Sequence, residues 1–253
     1  MYITNKILFN NSKKFFIKRF WIIFLISLFS ALIAMTANYF VAPEYRKLSI
    51  FYELNKYNTN YLFTKIQTMH FSEQKILLKI LFSKIFSYLI SNTILLIGII
   101  GILELFFSNE SNLWKKKFYK MITFFPNLLL LVIVLTIIIQ FGSMIFIIPG
   151  LFISSLLSLS PIILFSEEKN VVFSIKKSIN ITFKNMRFIF PSIIFWILSK
   201  TTILIISFIT NSIISSYLNI FLLYWINNLL LSFLIIYLFH FYIFIVNEDR
   251  NFL

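Results

Sequence analysis

Cysteine is absent from the 253 residues, which excludes disulfides, thiolate metal sites, cysteine nucleophiles and palmitoylation. Acids are nearly as scarce, nine in all, and there are two histidines, His70 and His240. No metal site, His-based triad or pair of cooperating carboxylates can be assembled from so few groups. Glu167 and Glu168 are adjacent, and neighbours in a helix do not face each other, so they read as flanking charges. The four glycines form no nucleotide-binding pattern. The sequence therefore predicts a non-enzymatic protein with no cofactor and no metal. Charged residues as a whole make up 13%, where soluble domains carry about 25%.

What is present is apolar: 59% of residues are hydrophobic and 33 are phenylalanine. Lys and Arg number 23 against the nine acids, for a net charge of +14. These cations flank apolar runs and form no separate basic face, so the expected partner is the anionic headgroup layer of a membrane, not nucleic acid.

Six runs, at about residues 20–41, 82–107, 121–141, 144–165, 189–210 and 222–246, are long enough to span. At about 1.5 Å per residue each covers a hydrocarbon core of roughly 30 Å. The expected fold class is all-α: one polytopic membrane helix bundle with six transmembrane helices and an added amphipathic interfacial helix. The first run exceeds the about 7–15 residues of a signal-peptide core and reads as an uncleaved anchor.

Residues 42–81 form the expected extracytoplasmic loop. Ser72 is placed to cap a helix that continues into the second span. Counting Lys and Arg puts 15 on the side of the N-terminus and seven on the outer side, between Pro43 and Lys84, so both termini are expected in the cytoplasm of a bacterial inner membrane. Pro126 is expected in the first turns of the third span, where a missing N–H does least damage, and Gly142 at a tight uncharged turn.

In the fourth run Gly150, Ser154 and Ser158 recur every four residues, a ridge that lets another backbone approach and predicts a central helix. Pro161 frees the carbonyl of Leu157 and predicts a kink, with Ser158 and Ser160 placed to satisfy the local backbone. From 168 to 188, Val172, Ile175, Ile179, Phe183 and Met186 fall three and four apart, with Lys176, Lys177, Lys184 and Arg187 mostly opposite. This is the pattern of a helix lying in the headgroup region, its cations on lipid phosphate; the plainer alternative is a solvated connector.

Lys200 is the sharpest single feature. Eleven residues into its span it lies about 17 Å deep, where a charged lysine costs roughly 2.5–3.5 kcal/mol. Glu104 is the natural partner, but it lies roughly 12 Å away along the membrane normal by the same rise. Carbonyls, Gln140 or water on a neighbouring helix are the favoured contacts, and Asn92 is a further candidate for interhelical hydrogen bonding.

Several of these residues together resemble the YciC family of bacterial inner-membrane proteins. They are SEQKILLK from Ser72, Asn92, Gln140 with Gly142, Pro149-Gly150, Pro161, the run from Phe173 to Asn185-Met186-Arg187, Pro191, Ser199-Lys200-Thr201 and Ile236-Tyr237-Leu238-Phe239. The match is collinear over nearly the whole chain. The Pro-Gly helix with its amphipathic sequel is also similar to bacterial membrane domains found beside glycerophosphodiester phosphodiesterases. His240 stands where that family is expected to carry Arg. The resemblance implies six spans and inner-membrane location and lends no activity. The leading functional expectation is a scaffold or assembly factor in envelope or lipid homeostasis with a membrane-protein partner. The alternative is a small transporter or lipid-handling protein using a polar site around Lys200 and Gln140.

Overall fold

A chain buried in hydrocarbon must satisfy its backbone N–H and C=O groups internally, and this one does so with helices. The computed structural model describes residues 5–45, 70–107, 114–210 and 216–251, and no strand occurs among them. Most of the expected outer loop and the stretch around Ser215 lie outside the described residues.

The helices are α1 (Asn5–Lys18), α2 (Phe20–Tyr45), α3 (Phe71–Phe107), α4 (Trp114–Ile145), α5 (Ile147–Leu157), α6 (Ser160–Glu167), α7 (Val171–Lys184), α8 (Met186–Thr210) and α9 (Ser216–Asn251). Among the described residues five stretches are long and apolar enough to cross a membrane: Gln74–Phe107, Lys115–Ile145, Ile147–Glu167, Met186–Thr210 and Leu218–Val246. A sixth forms if α1 and the Phe20–Thr36 part of α2, bent by 81° at Arg19, count as one.

That bend separates an amphipathic helix from a span. Leu8 and Ser12 are buried and Phe15 and Phe16 half-buried on one face of α1, while Lys13, Lys14 and Lys18 are exposed on the other. The buried face lies on α9, where Phe9 and Phe16 meet Phe233 edge-on at 5.6 and 5.7 Å. Leu8, Ser12, Phe15 and Phe16 recur at spacings of three and four, although by charge the segment reads only as a basic flank.

Helices α2, α3 and α9 pack on one another as a triple, α4 lies against α3, and α5 and α6 fold back against α4. The tightest joint is α2 on α3, and the fourth span packs on α3, α4, α7 and α8. Its second half is enclosed, with every residue of Ser160–Phe165 buried. Gly150 serves a local approach: a Cβ there would stand 2.8 Å from the Cα of Ser143.

Three local expectations are corrected. The turn between the third and fourth spans falls at Phe146, which is extended, because Gly142 stays inside α4 to admit Gly150 and Ile153. Pro126 lies well inside α4, which starts at Trp114. Ser72 is the second residue of α3, whose first turn closes on the carbonyl of His70, accepting from the Gln74 N–H at 3.1 Å. At Pro161 the helix is interrupted through Ser158 and Leu159; Ser158 Oγ donates to the Ser155 carbonyl at 2.8 Å, and the buried Ser160 hydroxyl has no partner among the described residues.

Candidate functional site

A cluster of buried polar groups, Ser27, Ser30, Ser91, Asn228 and Ser232, lies where α2, α3 and α9 meet. Ser30 Oγ lies 2.8 Å from both the hydroxyl and the carbonyl oxygen of Ser91, and Ser91 Oγ is 2.9 Å from the Ser30 carbonyl. Asn228 donates to Ser30 Oγ at 3.0 Å, and Ser27 and Ser232 hydroxyls meet at 3.1 Å. Small side chains permit this contact, since Ala31 and Ala34 share the same face of α2 and are buried. The sequence held a signal in Ser27, Ser30, Ala31 and Ala34, at the small-residue spacing noticed only in the fourth span.

Beside this clasp is a cavity of about 150 Å³, bounded by α2, α3, α8 and α9, into which Asn92, Lys200, Asn227 and Tyr88 face. Lys200 and Asn92, far apart in sequence, thus share one wall-to-wall space. Lys200 is half-buried with its ammonium 5.4 Å from the centroid of the Trp196 indole, a cation–π arrangement. The side-chain oxygen of Asn227 is buried without a partner among the described residues. A cation that donates and an amide oxygen that accepts can hold water, a hydroxyl or a phosphate oxygen, and the space suffices for several waters or one small polar group.

Gln140 and Glu104 do not join this cavity. Gln140 is exposed near the end of α4, its carbonyl accepting from Ser143 Oγ at 2.8 Å. Glu104 pairs with Lys120 at 3.1 Å, both side chains under a fifth exposed, and its carbonyl accepts from Lys117 at 2.5 Å. Lys120 also reaches Glu168 at 3.1 Å. A carboxylate one turn from the end of its helix meets the lysines opening the next helix before it can reach one at mid-depth. Glu167 accepts from Lys177 at 2.6 Å and from the hydroxyl of Tyr242. Glu168 leaves the helix in the left-handed conformation, φ 54°, which sends the two adjacent carboxylates to different partners.

The amphipathic segment is shorter than expected, and Met186 already belongs to α8. Its buried side is not the apolar stripe. Ser174, Ser178 and Thr182 are fully buried toward α5 and α6, and Ser178 Oγ donates to the Leu156 carbonyl at 2.7 Å. Ile175 is half-buried with them, whereas Val172, Ile179 and Phe183 are exposed alongside Lys176, Lys184 and Arg187. Of the expected headgroup cations, Lys177 is held by Glu167 and Arg187 stacks 4.8 Å over the Phe188 ring. In the packing ridge, Ser154 and Ser158 are half-buried and bond within their own helix.

No group of three or more metal-ligating side chains occurs among the described residues. His240 is half-buried between the rings of Phe15 and Phe107, with Nδ1 2.8 Å from the Ile236 carbonyl oxygen.

The family model described as an uncharacterised protein family, UPF0259, matches residues 1–244. A UPF0259 membrane protein of Buchnera aphidicola from Schizaphis graminum is 35% identical over 242 residues, covering 96% of this chain and 98% of the relative. The counterpart from Buchnera of Acyrthosiphon pisum is 37% identical over 201 residues, 79% and 81% of the two chains. A UPF0259 membrane protein of Pectobacterium carotovorum is 29% identical over 210 residues, 81% and 84%. No solved structure matches.

Proposed function

Because the chain belongs to the UPF0259 family of membrane proteins, to which the YciC resemblance points, we propose its role from the surface it builds: a non-enzymatic scaffold or assembly factor of the bacterial inner membrane. It acts in envelope or lipid homeostasis by holding anionic lipid headgroups and a membrane-protein partner, with both termini cytoplasmic. The observation that carries this is the three-sided α7: a serine and threonine face docked on the bundle, an exposed stripe of Val172, Ile179 and Phe183, and a basic flank of Lys176 and Lys184. Such a helix is fixed to the protein on one side and offers lipid an apolar edge and cations on the others. Replacing Lys176 and Lys184 together with Gln is expected to weaken retention of phosphatidylglycerol over phosphatidylcholine, by about fivefold per charge at about 1 kcal/mol each. Native mass spectrometry of the protein from nanodiscs measures this, and unchanged retention refutes it.

The second reading, a lipid-handling protein or small transporter, is favoured by the cavity shared by Lys200 and Asn92; Gln140 has no part in it. Under this reading Lys200→Met loses a co-purifying polar ligand that the wild type retains, again by native mass spectrometry. A ligand equally present in both proteins, or in neither, sinks it.

A further inference from the structure

On the α1 side of the same helices an apolar groove of about 410 Å³ runs between α1, α8 and α9. That volume falls in the range of about 300–1,000 Å³ typical of ligand sites. Along α8 it is bounded from Phe188 to Ser199, about 17 Å at helical rise, close to half of a roughly 30 Å hydrocarbon core. A slot one leaflet deep has the length of one hydrocarbon chain. Its walls are nearly all aliphatic and aromatic, with Phe9, Phe195 and Phe233 among them, while α1 contributes Asn5 and the exposed Lys6. Arg187 adds a second cation where α8 begins, stacked on the Phe188 ring that lines the groove.

Helix α8 is also the least enclosed of the candidate spans, with 6% of its apolar window buried against 50% in α9. It therefore leaves room beside α9 that protein does not fill. A larger groove of about 560 Å³ among α2, α3 and α4 is equally apolar but has no charged residue in its lining. It is an internal control for what charge adds.

We propose that the groove between α1, α8 and α9 holds one acyl chain of an anionic glycerophospholipid from the leaflet on the α1 side, its phosphate drawn to Lys6. The site goes beyond both readings above, since neither requires a chain in this groove. Its chemistry follows from its parts: the walls are as apolar as lipid tails, so a chain passes from bilayer to groove without loss, and the rim selects a negative headgroup.

The test uses the full chain reconstituted in phosphatidylcholine vesicles doped with phosphatidylglycerol or phosphatidylcholine carrying a diazirine on one acyl chain. After irradiation, labelled peptides are mapped by mass spectrometry. The phosphatidylglycerol probe is expected to mark Phe195 and Phe233 in preference to Phe29 and Phe118 of the control groove. Lys6→Gln is expected to lower that labelling about fivefold and to leave the phosphatidylcholine probe unchanged. Ser192→Trp fills the groove and is expected to abolish labelling there by both probes while the α2, α3, α4 groove stays labelled. Equal labelling of the two grooves by the anionic probe overturns the proposal, as does labelling by phosphatidylglycerol that Lys6→Gln does not reduce. Lys6 is exposed, so its replacement decides the matter even if Ser192→Trp fails to fold. Neither outcome alters the α7 retention or the Lys200→Met result, which report on other residues.

Discussion

Replacing Ser30 with Ala tests whether the α2, α3, α9 joint is held by hydrogen bonds or by close packing alone. A hydroxyl has one proton, so Ser30 Oγ donates to either the hydroxyl or the carbonyl of Ser91, not both, while it accepts from Asn228. Truncation to Ala thus removes two bonds. At an average of about 0.6 kcal/mol each inside a membrane, and about 1.7 at most, the loss is about 1 kcal/mol with a ceiling near 3. Ser91→Ala removes the bond its own proton makes, and a second where Ser30 donates to its hydroxyl, so it costs between half as much and as much. The two residues touch, so their effects are coupled by about 0.6 kcal/mol and are not additive. Unfolding in mixed micelles measures this with Trp225 as reporter, its ring 4.9 Å from Phe24 at the α2–α9 contact. The other three of the four tryptophans are replaced by Phe. Losses under about 0.3 kcal/mol for each variant, adding without coupling, would refute the reasoning and leave dispersion as the sole tie.

Alanine at the glycines should destabilise in the order Gly101, Gly142, Gly150, because the added methyl meets the flexible end of Met121, then Ile153, then the backbone of Ser143. Only the last cannot be relieved by a rotamer change, and an overpacking cost of about 1–3 kcal/mol is expected in the same micelle assay. Lys120→Met leaves the enclosed Glu104 carboxylate without its cation, while Glu168, 59% exposed, turns to water; it should cost about 1–3 kcal/mol, mostly recovered by adding Glu104→Gln, and no recovery would assign the loss to packing. Lys177→Gln should lower stability through Glu167 and leave anionic-lipid retention unchanged, the reverse of the Lys176 and Lys184 pair.

The helical, membrane-spanning character was legible because few chemistries other than lipid tolerate uncharged runs of this length. Faces were harder. In α7 Val172, Ile179 and Phe183 form an exposed stripe, while Ile175, expected with them, turns partly inward and Met186 falls on α8, because which side of a helix is buried depends on the neighbour. Here Ser174, Ser178 and Thr182 face the bundle because small polar side chains admit a backbone carbonyl such as that of Leu156. In water an apolar stripe turns inward; in a membrane it can turn to lipid. Depth counting separated Glu104 from Lys200, yet Lys120 as the partner required knowing that α3 and α4 pack side by side. Lys200 and Asn92 met in one cavity through a helix pairing no local pattern encodes, and Gln140 fell outside it because α4 presents that residue outward at the turn.

The clasp also sets an order of events during synthesis. Ser30 finds Ser91 some 61 residues later on the chain, but Asn228 and Ser232 reach Ser30 and Ser27 only at separations of 198 to 205. At about 5–20 residues per second, α2 waits about 10–40 seconds in the bilayer for its second partner. The amphipathic α1 waits with it, since its seat is Phe233 of the last helix. Helices α1 and α2 both close on α9, so the bundle is unfinished until α9 has been made, and a chain stopped before α9 would present polar α2 surface to whatever else is inserting nearby.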